Sequence, residues 1–508
     1  MKEIRTVALI GAGIAGLATA KVLNQFGFNV TVFEQEADVG GVWSAARRYP
    51  GLTTQNPRET YEFSDFPMPR SYPEWPTGEQ MQAYLCKYAE AFGLSRHIRL
   101  RTRIDTAQYD DAVKQWILTT TEMSGSASPV QAGHRFDFLV VCNGIFSTPS
   151  IPEFPGAREF VNAGGRICHT SEFTHLEEAR GKQVIIVGYG KSSCDVASAT
   201  AEISAATHVV VRGLIWKIPK RIANTVNFKY LFLTRMGEAL FRYIRVKGFE
   251  RFLHGPGLSL RNSLLKAVEA VIARQLKLRS LGLHPGKPLE TIARSTVSLV
   301  TDGFYESVQK GRIRVHPRAS IVRMDGNGVT LSRGETLRAD LVICGTGWVQ
   351  HVPFFDAETR SGITDRHGNF RLYRSMLPVG LPGLAFNGYN SSFFSQLNAE
   401  VGALWLAAYL RGRIALPSPV TMHADVDARL HWMEQRTDGK HSKGTNIIPF
   451  SLHQIDELLQ DIGVRLSWFL RLRQWFLPVV GAQFRELTPR LLRRLRASSN
   501  NGLDERVG

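Results

Sequence analysis

The 508-residue sequence predicts an α/β fold with two Rossmann-like dinucleotide-binding domains, the first of them discontinuous in the chain. Three observations carry this. A glycine-rich loop, GAGIAG, follows an apolar run at residues 11–16, and a second loop, GYGKSS, follows another at 188–193. The chain is also longer than one hydrophobic core usually serves.

In the first unit, TVALI (Thr6 to Ile10) reads as a buried strand ended by glycine. Gly11 makes the tight turn and Gly13 lets the backbone approach a pyrophosphate. Ile14 and Ala15 open the helix, and Gly16 allows close helix–strand packing. The helix IAGLATAKVLNQFG presents its N-terminus to the phosphate charge. The next strand is NVTVF, and Glu34 stands at its end, 23 residues after Gly11. A carboxylate there can accept from ribose hydroxyls.

The second unit repeats the order. KQVIIV is a strand, Gly188 and Gly190 open the turn, Ser193 takes the third glycine place, and SSCDVASATAEI is a helix. The strand HVVV follows, and Arg212 closes it 24 residues after Gly188. The position that holds an acid in the first unit holds a cation in the second. An arginine there can pair with a 2′-phosphate, which predicts NADP(H) over NAD(H); a solvated strand-end charge is the plainer reading. Lys217 and Lys220 are expected to add to that phosphate-binding field.

Composition narrows the class. Hydrophobic content of 44% and charged content of 21% fit a globular protein, while 62 Lys+Arg against 45 Asp+Glu gives a formal charge of +17. No nucleic-acid-binding motif accompanies the charge. None of the five cysteines forms a C-x-x-C pair, which argues against a disulfide framework, a zinc site or a paired-cysteine redox centre. The first residues enter a strand at once, leaving no room for a signal peptide, and no apolar run reaches spanning length. The expected location is cytoplasmic, with membrane association through the C-terminal tail as an option.

The stretches GAGIAG, EQEADVGGVW, FSDFPMP, VVCNGIFSTPSIPEFPG, ICHTSEF, GYGKSSCDVA, VRGLIWKIPK and LVICGTGW occur in the order of a known family. Over most of residues 4 to 415 the chain resembles the class B flavin-dependent monooxygenases, specifically the flavin-containing monooxygenase group, which is related to the Baeyer–Villiger monooxygenases. The resemblance implies FAD in the first unit and NADPH in the second. NADPH reduces the flavin, dioxygen adds to it, and a C4a-(hydro)peroxyflavin passes one oxygen atom to nitrogen or sulfur of a small organic substrate. Insertion beside a ketone carbonyl is the alternative. The partners implied are that substrate and O2.

The resemblance also assigns residues. Gly40, Gly41, Val42 and Trp43 pass over the FAD. Asp65 is the acid near flavin and nicotinamide. Asn143 and Gly144 mark a hinge strand, and Gly345 to Trp348, including Thr346 and Gly347, mark the return to the FAD domain. Three departures stand out. Gly165, His169 and Phe173 match a further family fingerprint, but Ala163 and Thr174 replace its leading aromatic and its basic residue. That points to His169 as a domain-linking or NADP-positioning residue rather than a proton donor. The amide placed near the flavin is Gln55 or Asn56, and counting back from Asp65 favours Gln55. Lys191, before Ser192 and Ser193, stands where the family has Asn, so it either reaches the pyrophosphate or points to solvent. Gln55, Asn56, Asp65 and His169 are the catalytic candidates.

The domain reading places the FAD-binding domain at 1–155 and 320–450. The NADPH-binding domain takes 156–319, with a helical insertion at about 222–300, and a basic amphipathic extension takes 451–508. The insertion reads as an added helical subdomain or as a lid. In the extension, Trp468, Phe469, Trp475 and Phe476 alternate with arginines and suit either an anionic membrane surface or a cover over the cleft. Two other classes compete. A flavin disulfide reductase would need the cysteine pair that is missing, and a non-catalytic flavoprotein would keep the glycines without turnover.

Overall fold

The computed structural model describes residues 3–123, 130–293, 298–390, 392–437 and 451–504. In chain order its main elements are β1 (Thr6–Ile10), α1 (Ile14–Gln25), β2 (Asn29–Phe33), β3 (Ile98–Arg99), β4 (Phe138–Val141), β5 (Arg166–His169), β6 (Gln183–Val187) and α2 (Lys191–Thr200). They continue with β7 (Ala206–Val211), α3 (Leu258–Gln275), β8 (Ile313–Pro317), β9 (Leu341–Cys344), β10 (Leu384–Phe386) and α4 (Ser395–Leu410). Four further helices follow: α5 (Pro419–Thr437), α6 (Ser451–Asp461), α7 (Trp468–Phe476) and α8 (Leu487–Asp504).

Two parallel five-stranded sheets organise these elements. The first runs β10-β4-β1-β2-β3 and the second β8-β7-β6-β9-β5. The central strands are short apolar runs, covered on both faces, as parallel sheets require. Val7 to Leu9 and Val184 to Ile186 are fully buried. An antiparallel sheet of Thr102–Asp110, Gln115–Glu122 and Val130–Phe136 caps the first unit, packing Trp116, Leu118 and Phe136 against Ala8, Ile10 and Phe33.

Two expectations are corrected by pairing and packing. The return to the first unit does not come at 320. β9 pairs with β6 and β5, and the antiparallel strands at 321–338 pack on the same sheet, so the second unit runs through Cys344. Leu341–Cys344 is wholly apolar and fully buried, and it completes the sheet between β6 and β5. α4 belongs to the first unit, packing on α1 with nearly every residue buried. The extension at 451–508 is not one surface element, because α6 packs on α4 through Leu452, Ile455, Leu458 and Leu459. Only from α7 onward do aromatic residues face outward. The helical insertion is present, but its first half is divided into short helices (Lys229–Phe232, Arg235–Ala239, Phe249–Leu253) before α3. Among the described residues no helix is long and apolar enough to cross a membrane.

A buried polar cluster ties α1 to α4. Lys21, 2% exposed, pairs with Asp65 and lies over the rings of Tyr88 and Phe92. Glu400 accepts from the Ser64 N–H at 2.8 Å and the Ser64 hydroxyl at 3.1 Å. Burial, opposed by Lys21, pushes the Glu400 carboxyl up to about 7. The native state therefore holds a proton that the unfolded chain has released, and stability falls as pH rises from about 4.5 to 7. Glu400→Gln should remove that fall. Urea denaturation across this range should show a slope difference of up to one proton, ~1.4 kcal/mol per pH unit.

Candidate dinucleotide sites and the seam between them

Each glycine loop is fixed by the strand beside it. A Cβ on Gly11 (φ +103°) would sit 2.8 Å from the Cys142 carbonyl oxygen at the end of β4. A Cβ on Gly188 (φ +118°) would sit 2.5 Å from the Gly345 carbonyl oxygen just beyond β9. Only glycine tolerates both the conformation and the approach. A Cβ on Gly16 would overlap the Gly11 carbonyl at 1.8 Å, which accounts for the third glycine. In the second unit Ser193 takes that place, and its hydroxyl donates to the Gly345 carbonyl at 3.2 Å.

The helices behind the loops begin without side-chain caps, at Gly13 and Gly190. Their first N–H groups are therefore available to an anion, the arrangement that holds a pyrophosphate. In the first unit, Gly40 (φ +132°) and Gly41 bring the 40–43 turn against the loop: the Gly40 N–H donates to the Ala12 carbonyl at 3.0 Å. A Cβ on Gly41 would lie 3.2 Å from Gly13 Cα. Val42 and the buried Trp43 follow in the same turn, with Trp43 edge-on to Tyr61. Glu34 closes the site from below. Its Oε2 accepts from the Ala12 N–H at 2.7 Å and its Oε1 from the Glu36 N–H at 3.0 Å, while burial raises its pKa. These residues fit a dinucleotide such as FAD: glycine room, free helix N–H groups and an acid at the strand end. The second loop fits one too. A Cβ on Gly190 would meet nothing within 4 Å, and Arg212 is exposed at the end of β7 with no partner among the described residues.

The chain crosses between units twice, and the crossings pair with each other: Thr148–Pro149 runs antiparallel to Trp348–Val349. Predicted residues gather there. Asn143 donates to the His351 carbonyl at 2.9 Å and accepts from the Tyr389 hydroxyl at 2.8 Å, with Gly144 (φ +72°) turning the chain. The Thr346 hydroxyl donates to the Ser150 carbonyl, and Gly347 accepts from the Ser150 N–H at 3.0 Å. His169 ends β5 and points into this crossing. Its Nδ1 accepts from the Ser171 N–H at 3.2 Å, so Nε2 carries the proton and donates to the Gly347 carbonyl at 3.0 Å. Burial lowers its pKa. A neutral imidazole with both nitrogens engaged and its edge on Trp348 links two segments.

Gln55 and Asn56 part company. Asn56 is buried and donates to the Thr60 hydroxyl at 3.2 Å and to the Phe393 carbonyl, inside the first unit. Gln55 is half-buried at the seam, where its Oε1 accepts from the Leu299 N–H of the second unit at 3.1 Å. Asp65 is not brought to the loops: its partner Lys21 lies eight residues along α1 from Gly13, about 12 Å of helix. Lys191 neither faces solvent nor stands free, since it pairs with the fully buried Asp195 one turn on. Lys217 and Lys220 do not build an open cationic field. Lys217 is buried, its ammonium donating to the Ser298 hydroxyl at 3.0 Å and lying 4.7 Å over the Tyr189 ring, and Lys220 pairs with Asp302.

The residues that sequence reasoning missed are those joining the units around Asp195. The Tyr49 hydroxyl donates to it at 3.2 Å from the first unit, and Thr301 donates from the second. The i, i+4 spacing of Lys191 and Asp195 was the available signal. Arg47, stacked on Trp348 at 4.9 Å, had none.

The family model described as flavin-binding monooxygenase-like matches residues 4–485. A probable flavin-containing monooxygenase 1 of Arabidopsis thaliana is 29% identical over 498 residues, covering 90% of this chain and 92% of that protein. Flavin-containing monooxygenase 1 of Homo sapiens is 27% identical over 449 residues, covering 84% and 77%. Among solved structures, the S-allyl-L-cysteine S-oxygenase of Allium sativum superposes with a TM-score of 0.63 at 20% identity, covering 98% of this chain and 99% of that one. The NADP+-bound cyclohexanone monooxygenase of Rhodococcus sp. Phi1 gives 0.67 at 16%, covering 91% and 99%. The solved structures share the fold.

Two glycine substitutions separate packing from binding. Gly16→Ala should lower stability by about 1–3 kcal/mol and strip the first dinucleotide, read by thermal unfolding and bound chromophore. Gly190→Ala should leave unfolding unchanged, because its Cβ meets no protein atom, yet raise the Kd for the second dinucleotide in a titration.

Proposed function

This chain belongs to the flavin-binding monooxygenase-like family, and from that premise we propose that it oxygenates nitrogen or sulfur in a small organic substrate. It is an NADPH- and O2-dependent flavoprotein monooxygenase, with FAD and NADPH as cofactors. Bound FAD supplies dioxygen activation, with electrons drawn from NADPH. The protein's own residues hold, orient and exclude water.

In this reading the α1 N-terminus, Gly11, Gly13, Gly16 and Gly41 hold the FAD pyrophosphate, and Glu34 exchanges its N–H contacts for ribose hydroxyls. Gly188, Gly190, Ser192 and Ser193 hold the NADPH pyrophosphate. Lys191 offsets the charge of Asp195 beneath it, and Arg212 meets the 2′-phosphate. His169 positions the crossing strands and transfers no proton.

One observation carries the choice of substrate chemistry. Gln55 is anchored through its oxygen by Leu299, which leaves its NH2 without an acceptor among the described residues. A neutral amide donor can hold an oxygen atom without taking its proton. That suits transfer of an electrophilic oxygen to a soft nucleophile, whereas attack on a ketone needs an anionic oxygen, which a cation at this place would favour.

A face of α7 supports peripheral membrane contact. Trp468 is 75% exposed, Phe469 65% and Phe476 67%, and arginines flank them. Such a helix lies in the plane of a bilayer surface rather than crossing it.

Given NADPH and air, the purified enzyme should convert a thioether to its S-oxide and a tertiary amine to its N-oxide, with NADPH oxidation rising on substrate addition. Turnover of a cyclic ketone to lactone with neither oxide formed would replace this reading by the Baeyer–Villiger one. Arg212→Ala should raise the KM for NADPH by about tenfold or more and leave that for NADH within about twofold, since only NADPH carries the 2′-phosphate. Equal changes would remove the role of Arg212.

A further inference from the structure

Away from the glycine loops, a cavity of about 610 Å³ opens between the helical insertion and the C-terminal helices. Its walls carry seven Arg and Lys side chains and His453 against five carboxylates. His453 stands between Glu238 and Glu250, with Nδ1 facing the first and Nε2 the second at 2.7 Å. Those carboxylates hold it protonated, at about 10 against the usual 6.5, overcoming burial. The cavity thus carries three positive charges in excess.

The carboxylates are already engaged. Asp456 pairs with Arg235 and Arg471, Glu457 with Arg374 and Arg429, Asp425 with Arg374 at 3.9 Å, and Glu238 and Glu250 with His453. The excess therefore rests on Arg245, Lys247 and Arg465, which are exposed and have no acidic partner among the described residues. Deeper in, Arg429 is 4% exposed, gives Nη2 to Glu457 at 2.9 Å, and leaves Nε and Nη1 without acceptors among the described residues. Glu457 and Asp425 supply its countercharge, and a buried N–H without an acceptor costs free energy until one arrives.

The mouth continues onto the aromatic face. Phe249 and Trp475 line the cavity and meet edge-on at 6.0 Å. Phe252 (43% exposed) stacks on Phe249, and Trp468, Phe469 and Phe476 extend the face along α7. Cations at a cavity mouth beside exposed aromatics complement a molecule with an anionic head and an apolar tail, with aromatic rings at headgroup depth.

We propose that this cavity is a headgroup site for an anionic phospholipid, whose acyl chains lie along the α7 and Phe249–Leu253 face. It would make membrane attachment depend on lipid charge, and it rests on the reading of α7 as a membrane-contacting surface. Phosphate oxygens would meet Arg245, Lys247 and Arg465 at the mouth, with Arg429 within.

The test uses full-length holoenzyme and two kinds of vesicle, phosphatidylcholine alone and phosphatidylcholine with phosphatidylglycerol, in a co-sedimentation assay. Binding to the anionic vesicles should be roughly tenfold tighter or more, and should weaken as salt rises. The double variant Arg245→Glu/Arg465→Glu should bind both vesicles at the phosphatidylcholine level, while NADPH oxidation in solution stays unchanged. Inorganic phosphate at millimolar concentration should not displace the vesicles. Equal binding to both compositions, or a retained preference in the double variant, would overturn the headgroup site while leaving membrane contact in place. Displacement by free phosphate would reduce it to a simple anion site. No binding to either vesicle overturns the membrane reading itself. A dimer in sedimentation that Trp468→Ser dissociates would assign the face to a second copy instead.

Discussion

Everything in this molecule hangs on two carbonyl groups pressed against two glycines. The Cys142 carbonyl ends β4 beside Gly11, and the Gly345 carbonyl follows β9 beside Gly188. Neither contact leaves room for a Cβ. Each fixes a loop, and each loop fixes the start of a helix whose N–H groups carry no side-chain cap. The segments bearing those carbonyls are also the ones that lead from one unit to the other. One constraint therefore sets both the shape of each glycine loop and the start of each crossing between the units.

The seam is stiffened by residues whose chemistry is structural. Neutral His169 bonds through both ring nitrogens, and Asn143 is satisfied by Tyr389 and His351. Asp195 collects donors from both units and from Lys191. Binding, orientation and water exclusion fall to this framework, and the redox chemistry falls to the cofactors. Gln55 is an exception, since only half of its amide is spent on the fold.

The fold was legible where local rules decide. Strand, glycine loop, helix, strand and terminal charge appear at Thr6–Glu34 and again at Gln183–Arg212 as the sequence implies, since each needs only short-range geometry. The domain boundary was not legible, because a short apolar strand such as Leu341–Cys344 suits either sheet and only its long-range partner decides. The tail failed for a related reason. Residues 451–508 read as one amphipathic extension, but Leu452 to Leu459 pack on α4, whereas Trp468, Phe469 and Phe476 stay exposed. At the site, the glycines and Glu34 stand where spacing placed them. Lys217 and Lys220 were misread because charge alone does not reveal a buried or paired lysine.

With FAD on the first loop and NADPH on the second, the first unit accepts electrons and the second delivers them. Anaerobic stopped-flow mixing of purified holoenzyme with NADPH tests this most directly. The flavin absorbance should bleach in a saturable first-order phase, one flavin per NADPH, and slow severalfold when the transferred hydrogen is replaced by deuterium. A protein that binds NADPH yet keeps its flavin oxidised, or that bleaches with no isotope effect and no saturation, would contradict it.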